Sequence, residues 1–423
     1  MTDAWSLFSD CIKGKRDELV KLTQDLVRLP SDTNEKGCQF FIRDWLKENG
    51  ITSDIWELDT AQLSAHPAYV ETGLDYSDRP NLVASIKGKG GGQSLSLLGH
   101  IDVVPVEEEE KWVEQDPWSG ALVDGKIYGR GSVDMKGGLA IGLVLAAAIK
   151  QAGISLQGDL ILQSVIDEEN GGNGTLGAIL RGYKADASIF LEPSEEDYMG
   201  ISGRGAQFFR ITVPGIGGGI EYQYEMPNAI AKAFIVYQAV ERYADYVNSK
   251  ASHSLYANSE TKVPCAICKI QAGNWPSTTP AYCQMEGSIE CLPGEDIEQT
   301  KTDFKNYLLK VTSQDAWLAE HPPQIEWFGL WYESAEIPVD APIVNCMRKA
   351  SQEVLNKDIQ PLGGGGSDLR LLVLHADSPC VMYGPKGGAI HSTNEYVEIE
   401  SMMNVALVVG KVILDWCGIA QPE

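Results

Sequence analysis

A chain of 423 residues exceeds what one ordinary core organises, so two domains are expected. Acidic residues outnumber basic ones 59 to 34, and the net charge of −25 repels nucleic acid and anionic membrane alike. Nine scattered cysteines do not suggest a secreted disulfide framework, no run of about 18 uncharged apolar residues is available to span a bilayer, and Met1 to Lys15 lacks a basic-then-apolar leader, so a cytoplasmic protein is expected.

Leu19, Leu22 and Leu26 predict an amphipathic helix that stops before Pro30, and Phe41 and Trp45 share a face of a second helix that ends near Gly50. Ile51 to Leu58 and Asn81 to Lys87 read as strands, with Asp75 to Pro80 as a loop. Ser94 to Pro105 then carries an apolar run into Gly99-His100-Ile101-Asp102, which resembles a buried strand delivering a polar pair to its C-terminal end. Side chains repeat every two residues along a strand, so the Asp102 carboxylate could sit behind the His100 imidazole and orient it. That is a metal-ligand arrangement; a surface histidine at a strand end is the alternative. Glu107 to Glu110 read as a solvated loop.

Glycines at 129, 131, 137 and 138 allow tight backbone around Asp134, ahead of a buried helix at Leu139 to Ile149. Asp134 is thus a helix cap or a ligand, and neither common phosphate-loop spacing is present. Asp159 to Ile166 reads as a strand ending in Asp167-Glu168-Glu169, and Ala187 to Leu191 as another ending in Glu192-Pro193. Adjacent glutamates point in different directions, so one could bind a metal while the other faces the reacting water; an acidic turn is the alternative. Three successive strands therefore end in metal-binding residue types. Beyond Glu192 the pattern changes to strands at Gln207 to Val213, Cys265 to Gln271 and Gln284 to Glu290, and a long helix at Asn228 to Asn248. Cys265 and Cys268, three apart on a strand, face opposite sides and read as packing rather than as a zinc or redox pair.

Taken together, Gly99-His100-Ile101-Asp102, Gly129 to Gly138, Asp167-Glu168-Glu169, Leu191-Glu192-Pro193, Ser367-Asp368-Leu369-Arg370 and Gly384-Pro385 leading to His391 resemble the M20 family of metallopeptidases and amidohydrolases. The segments occur in the family's order over essentially the whole chain. The resemblance implies an α/β, mixed-sheet, zinc-exopeptidase-like catalytic domain at 1–201 and 333–423, with an inserted α+β lid at 202–332 that often dimerises. It implies two divalent ions, zinc above cobalt or manganese, bridged by Asp134, one held by His100 and Glu192 and the other by Glu169 and His391. Asp102 would stand behind His100, Glu168 would be the general acid/base working on a hydroxide between the metals, and Arg370 would bind a substrate carboxylate. A cis peptide after Asp134 is a further family feature.

The lid departs from the family pattern. Where a histidine that assists the oxyanion is usual, nine residues before Asn228-Ala229-Ile230, this chain has Gly219; Asn228 itself matches and is implied to contact substrate. Ser277 stands for an asparagine and Glu290 for an arginine, with Tyr222 and Tyr224 as nearby candidates for a replacement donor; packing is the more common role for such a tyrosine. His66, His253, His321 and His375 match no motif. The leading expectation is hydrolysis of an amide-type C–N bond, by deacylation or deformylation, in a small carboxylate-bearing molecule. Deamination of an aromatic amine and small-peptide hydrolysis are alternatives, and Gly219 motivates a further one, a metal-binding pseudoenzyme. A homodimer through the lid is expected.

Overall fold

The computed structural model describes residues 4–421 apart from 107, 108 and 114, so the acidic run at 107–110 lies largely outside the described residues. The chain divides into two compact units, Met1–Ser202 with Glu336–Glu423, and Gly203–Ala335; the sequence reading put the insertion at 202–332.

The first unit is built on a mixed sheet in the order Ser53–Glu57, Pro80–Ile86, Leu160–Val165, Leu95–His100, Ala187–Phe190, Cys380–Met382. The last four of these run parallel, while Pro80–Ile86 is antiparallel to Leu160–Val165. Leu95–His100 and Leu160–Val165 are buried at every position, which is why they read as continuous apolar runs rather than alternating ones. Because these strands are parallel and adjacent, their C-terminal ends open on one edge of the sheet. Residues that follow three strands far apart in sequence are thereby gathered at one place.

Helix Gly137–Gln151 is buried from Gly137 through Ile149. The segment Ser132–Gln151 is long and apolar enough to cross a membrane by length and composition, but 94% of its most apolar window is buried inside the protein. An all-round apolar helix of this kind belongs to a core. Its first turn passes so close to the end of strand Ala187–Phe190 that a Cβ on Gly138 would lie 2.0 Å from the Leu191 carbonyl oxygen. Only glycine permits that approach. The unit also contains a small sheet not foreseen from the sequence, in the order Gly387–Gly388, Tyr396–Glu398, Lys126–Tyr128, Ala121–Val123.

The second unit is a four-stranded antiparallel sheet in the order Cys265–Ala272, Tyr282–Cys291, Gly205–Pro214, Gln324–Tyr332. Helices Ala229–Lys250 and Ile297–Thr312 supply Val236, Val240, Phe304 and Leu308 to a core shared with Phe209, Ile211 and Met285 of the strands. Burying each such side chain contributes about 1.5–3 kcal/mol. Cys265 is buried and Cys268 exposed, with a bulge in the strand between Ile267 and Lys269. All nine cysteines are free thiols.

Candidate metal centre

His100 closes its strand fully buried, with Nε2 3.1 Å from Asp134 Oδ1 and 3.0 Å from Glu192 Oε1. His391, half-exposed, places Nε2 3.2 Å from Asp134 Oδ2 and 3.1 Å from Glu169 Oε2. Two groups of potential ligands result, His100–Asp134–Glu192 and Asp134–Glu169–His391, with Asp134 common to both. Asp134 is not a helix cap: the residue at the N-cap of Gly137–Gln151 is Lys136, and each Asp134 carboxylate oxygen faces an imidazole. The Asp134–Met135 peptide is cis.

The orientation of His100 differs from the sequence reading. The strand ends at His100, so the two-residue alternation does not extend to Asp102. Nδ1 lies 2.9 Å from the Asp102 backbone carbonyl and 3.6 Å from its carboxylate Oδ1. The carbonyl therefore accepts a hydrogen bond from Nδ1–H, which leaves the Nε2 lone pair for a metal. The Asp102 carboxylate instead accepts the Glu169 backbone N–H at 3.1 Å, fixing the turn that carries the two glutamates.

Glu168, buried, belongs to neither ligand group; its Oε1 accepts the Asp368 backbone N–H at 3.3 Å. Burial pushes its carboxyl well above the usual range; His100 opposes this, and the charges of Asp368, Glu192 and Glu169 add to it. Burial also pushes Glu192 up to about 8, with Asp134 adding to the effect. Burial acts to raise Asp134 as well, but the hydrogen bonds to His100 and His391 hold it well below the carboxylate range. The same bonds from Asp134 and Glu169 push His391 up to about 10. The donor set fits two divalent cations. Each group combines one imidazole nitrogen with two carboxylates, and the protons these groups retain without cations are those a divalent ion displaces.

The remaining candidates belong to neither ligand group. Arg370 is 1% exposed and donates from Nη2 to the Gly171 carbonyl at 3.0 Å, which ties its guanidinium to the loop after Glu169. Asn228 is the N-cap of Ala229–Lys250, its Oδ1 accepting the Ile230 N–H at 2.9 Å; that role was open to sequence reasoning, because asparagine before a long apolar-periodic run is a common cap. In the second unit Gly218–Gly219 pair with Thr278–Thr279, Glu290 is bound by Arg204 at 2.5 Å, and Tyr222 and Tyr224 are exposed. Glu395 was not singled out. It is 1% exposed, and its carboxylate accepts the backbone N–H groups of Gly131, Val133 and Asp134.

Comparison with known proteins agrees with this arrangement. A model of peptidase family M20/M25/M40 matches residues 96–415. The N-formyl-4-amino-5-aminomethyl-2-methylpyrimidine deformylase of Bacillus subtilis is 28% identical over 438 residues, covering 96% of each chain. Among solved structures, a tripeptidase of Staphylococcus aureus superposes with a TM-score of 0.71 at 20% identity, over 95% of this chain and 98% of its own. A dinuclear metal-binding peptidase of B. subtilis gives 0.64 at 18% identity, over 96% and 99%.

Proposed function

From the premise that the chain belongs to peptidase family M20/M25/M40 and is a metal-dependent hydrolase of C–N bonds, we propose that it removes a formyl or other small acyl group from the amino nitrogen of a small ring compound. The observation that carries the reading is the pair of ligand groups sharing Asp134, with the buried carboxylate of Glu168 beside them and in neither. The full-length similarity to a deformylase supports the substrate class.

His100, Asp134 and Glu192 would hold one ion, and Asp134, Glu169 and His391 the other; the nitrogen and carboxylate donors suit zinc, with cobalt or manganese as substitutes. When bound, such a pair lowers the pKa of a water and polarises the amide carbonyl. Glu168 takes the proton of the attacking water at its carboxylate and passes it to the leaving nitrogen. The new C–O bond replaces the C–N bond, and formate or another short acid leaves with the free amine. Asp102 and Asp368 serve this step through backbone groups, the first through its carbonyl on His100 and the second through its N–H on Glu168.

The second unit supports a homodimer. Among the described residues strand Cys265–Ala272 is an edge with a single paired neighbour, Ile270 on it is exposed, and Phe234 on helix Ala229–Lys250 is 63% exposed. Sedimentation of wild type and of Ile270→Lys tests this, a monomeric wild type being the contrary result. Nine free thiols favour a reducing, cytoplasmic setting. The substrate is tested with N-formyl-4-amino-5-aminomethyl-2-methylpyrimidine, N-formyl and N-acetyl amino acids and dipeptides, each with and without chelator. Chelator-sensitive formate release from the pyrimidine is expected; turnover of dipeptides alone would replace this reading.

A further inference from the structure

We propose that Glu395 is a positioning residue that fixes the shared ligand Asp134, and with it both halves of the metal centre, by clamping the loop that carries Asp134 to the loop that carries His391. The inference rests on the dinuclear reading above and concerns residues that the ligand groups do not include.

The geometry begins in the small sheet. Strand Lys126–Tyr128 leads out into the loop bearing Asp134, and the loop bearing His391 leads into strand Tyr396–Glu398; the two strands pair antiparallel, with Tyr396 opposite Tyr128. Glu395 therefore stands where both loops leave the sheet. Its backbone carbonyl accepts the Gly129 N–H at 2.9 Å. Its carboxylate then enters the Asp134 loop: Oε2 accepts Arg130 Nη1 at 2.6 Å and Gly131 N–H at 2.9 Å, and Oε1 accepts Val133 N–H at 3.1 Å and Asp134 N–H at 3.2 Å. Gly131, at φ 77°, supplies the left-handed turn that lets successive N–H groups converge on one carboxylate.

Four donors on one carboxylate leave the 130–134 backbone little freedom. Arg130 and Glu395 are both buried, 3% and 1% exposed, so neither can exchange its partner for water without cost. The last of the four donors is the N–H of Asp134 itself. Movement of Glu395 therefore moves Asp134 directly, and Asp134 is common to both ligand groups. His391 lies on the same segment as Glu395, four residues earlier. A single side chain thus sets the distance between the shared ligand and a ligand of the second ion.

A residue with this role leaves a signature that a merely stabilising one does not. Removing it should loosen both ions together, because the ligand it positions is shared, and should lower kcat with little change in KM. Glu395→Gln keeps one acceptor oxygen but turns an NH2 group toward N–H donors. Zn2+ is titrated into chelator-stripped wild type and variant against a chromophoric competitor, with the melting temperature of the stripped proteins recorded in parallel. The expected result is a loss of affinity of about tenfold to a hundredfold at both sites, measured at a temperature well below the melting point of the stripped variant so that the loss is read on folded protein. Arg130→Lys, which retains the charge but not the planar contact, should show a smaller loss in the same direction at both sites, and it decides the matter if Glu395→Gln does not fold. Unchanged affinity at both sites, or a loss confined to one, would overturn the proposal while leaving the dinuclear reading standing. A wild type that takes up no Zn2+ would overturn both.

Discussion

Glu168 is the carboxylate on which the proposed chemistry turns, and the prediction at this scale concerns it. In Glu168→Gln both ligand groups remain intact, so metal content should stay at the wild-type level while kcat falls by about a hundredfold to ten-thousandfold. Near-normal turnover, or loss of metal, would remove Glu168 from its role. His100, Glu192 and Glu169 were legible in the sequence because each follows an apolar strand, and a polar residue at such an end has few structural uses. Asp134 and His391 needed the family pattern, since a loop aspartate and a loop histidine carry no periodicity. Arg370 and Asn228 carry local bonds that motif matching does not reveal. The sequence identifies residue types suited to a ligand, but it does not show that the Gly171 carbonyl and the Ile230 N–H already engage them. The Asp102 case is subtler, because the correct residue orients His100 through its carbonyl rather than through its carboxylate.

Among the elements, the parallel strands and the buried helix Gly137–Gln151 do most to place the site, and both were readable as long apolar runs. The small sheet was not, because strands of two or three residues contain too few positions to show a pattern. Yet that sheet joins the Asp134 and His391 loops. The helix start is tied down twice: Lys136 Nζ donates to the Leu26 and Leu29 carbonyls at 3.0 and 2.8 Å, satisfying the end of helix Arg16–Val27, and Gly138 lies against Leu191. Gly138→Ala forces a Cβ onto a backbone oxygen next to Glu192 and should destabilise the fold by about 1–3 kcal/mol. Thermal melting checks that figure, and metal content should drop with it. Gly219→Ala is the contrast: the nearest atoms are the tip of the flexible Glu221 side chain, and little loss of stability is expected. Equal melting losses in both variants would contradict this view of the helix start.

For the molecule as a whole, acidity and size were plain from composition, and the insertion was visible as a change of pattern after Glu192, though its edges were not, since strand follows strand across both of them, Tyr198–Gly203 into Gly205–Pro214 and Gln324–Tyr332 into Ala335–Glu336. Stability should depend on pH in a way the cations control. In the cation-free protein Glu192 is pushed up to about 8 from 4.5, chiefly by burial, and His391 to about 10 from 6.5, chiefly by its bonds to Asp134 and Glu169. Both folded values lie above the unfolded ones, so the stabilisation is complete below the unfolded values and is lost as pH rises through the folded ones. Chelator-stripped protein should therefore melt progressively lower between about pH 4.5, where Glu192 begins to contribute, and about pH 10, where His391 ceases to, and metal-loaded protein should show a flatter profile; a stripped protein that gains stability over that window would contradict the charge arrangement. The most direct test of the central claim is stepwise return of Zn2+ to stripped enzyme while formate release from the N-formyl aminopyrimidine is followed. Activity should be absent at the start and should rise until two equivalents per chain are bound, one for each ligand group. Full activity in the stripped enzyme, or saturation with no bound metal, would contradict it.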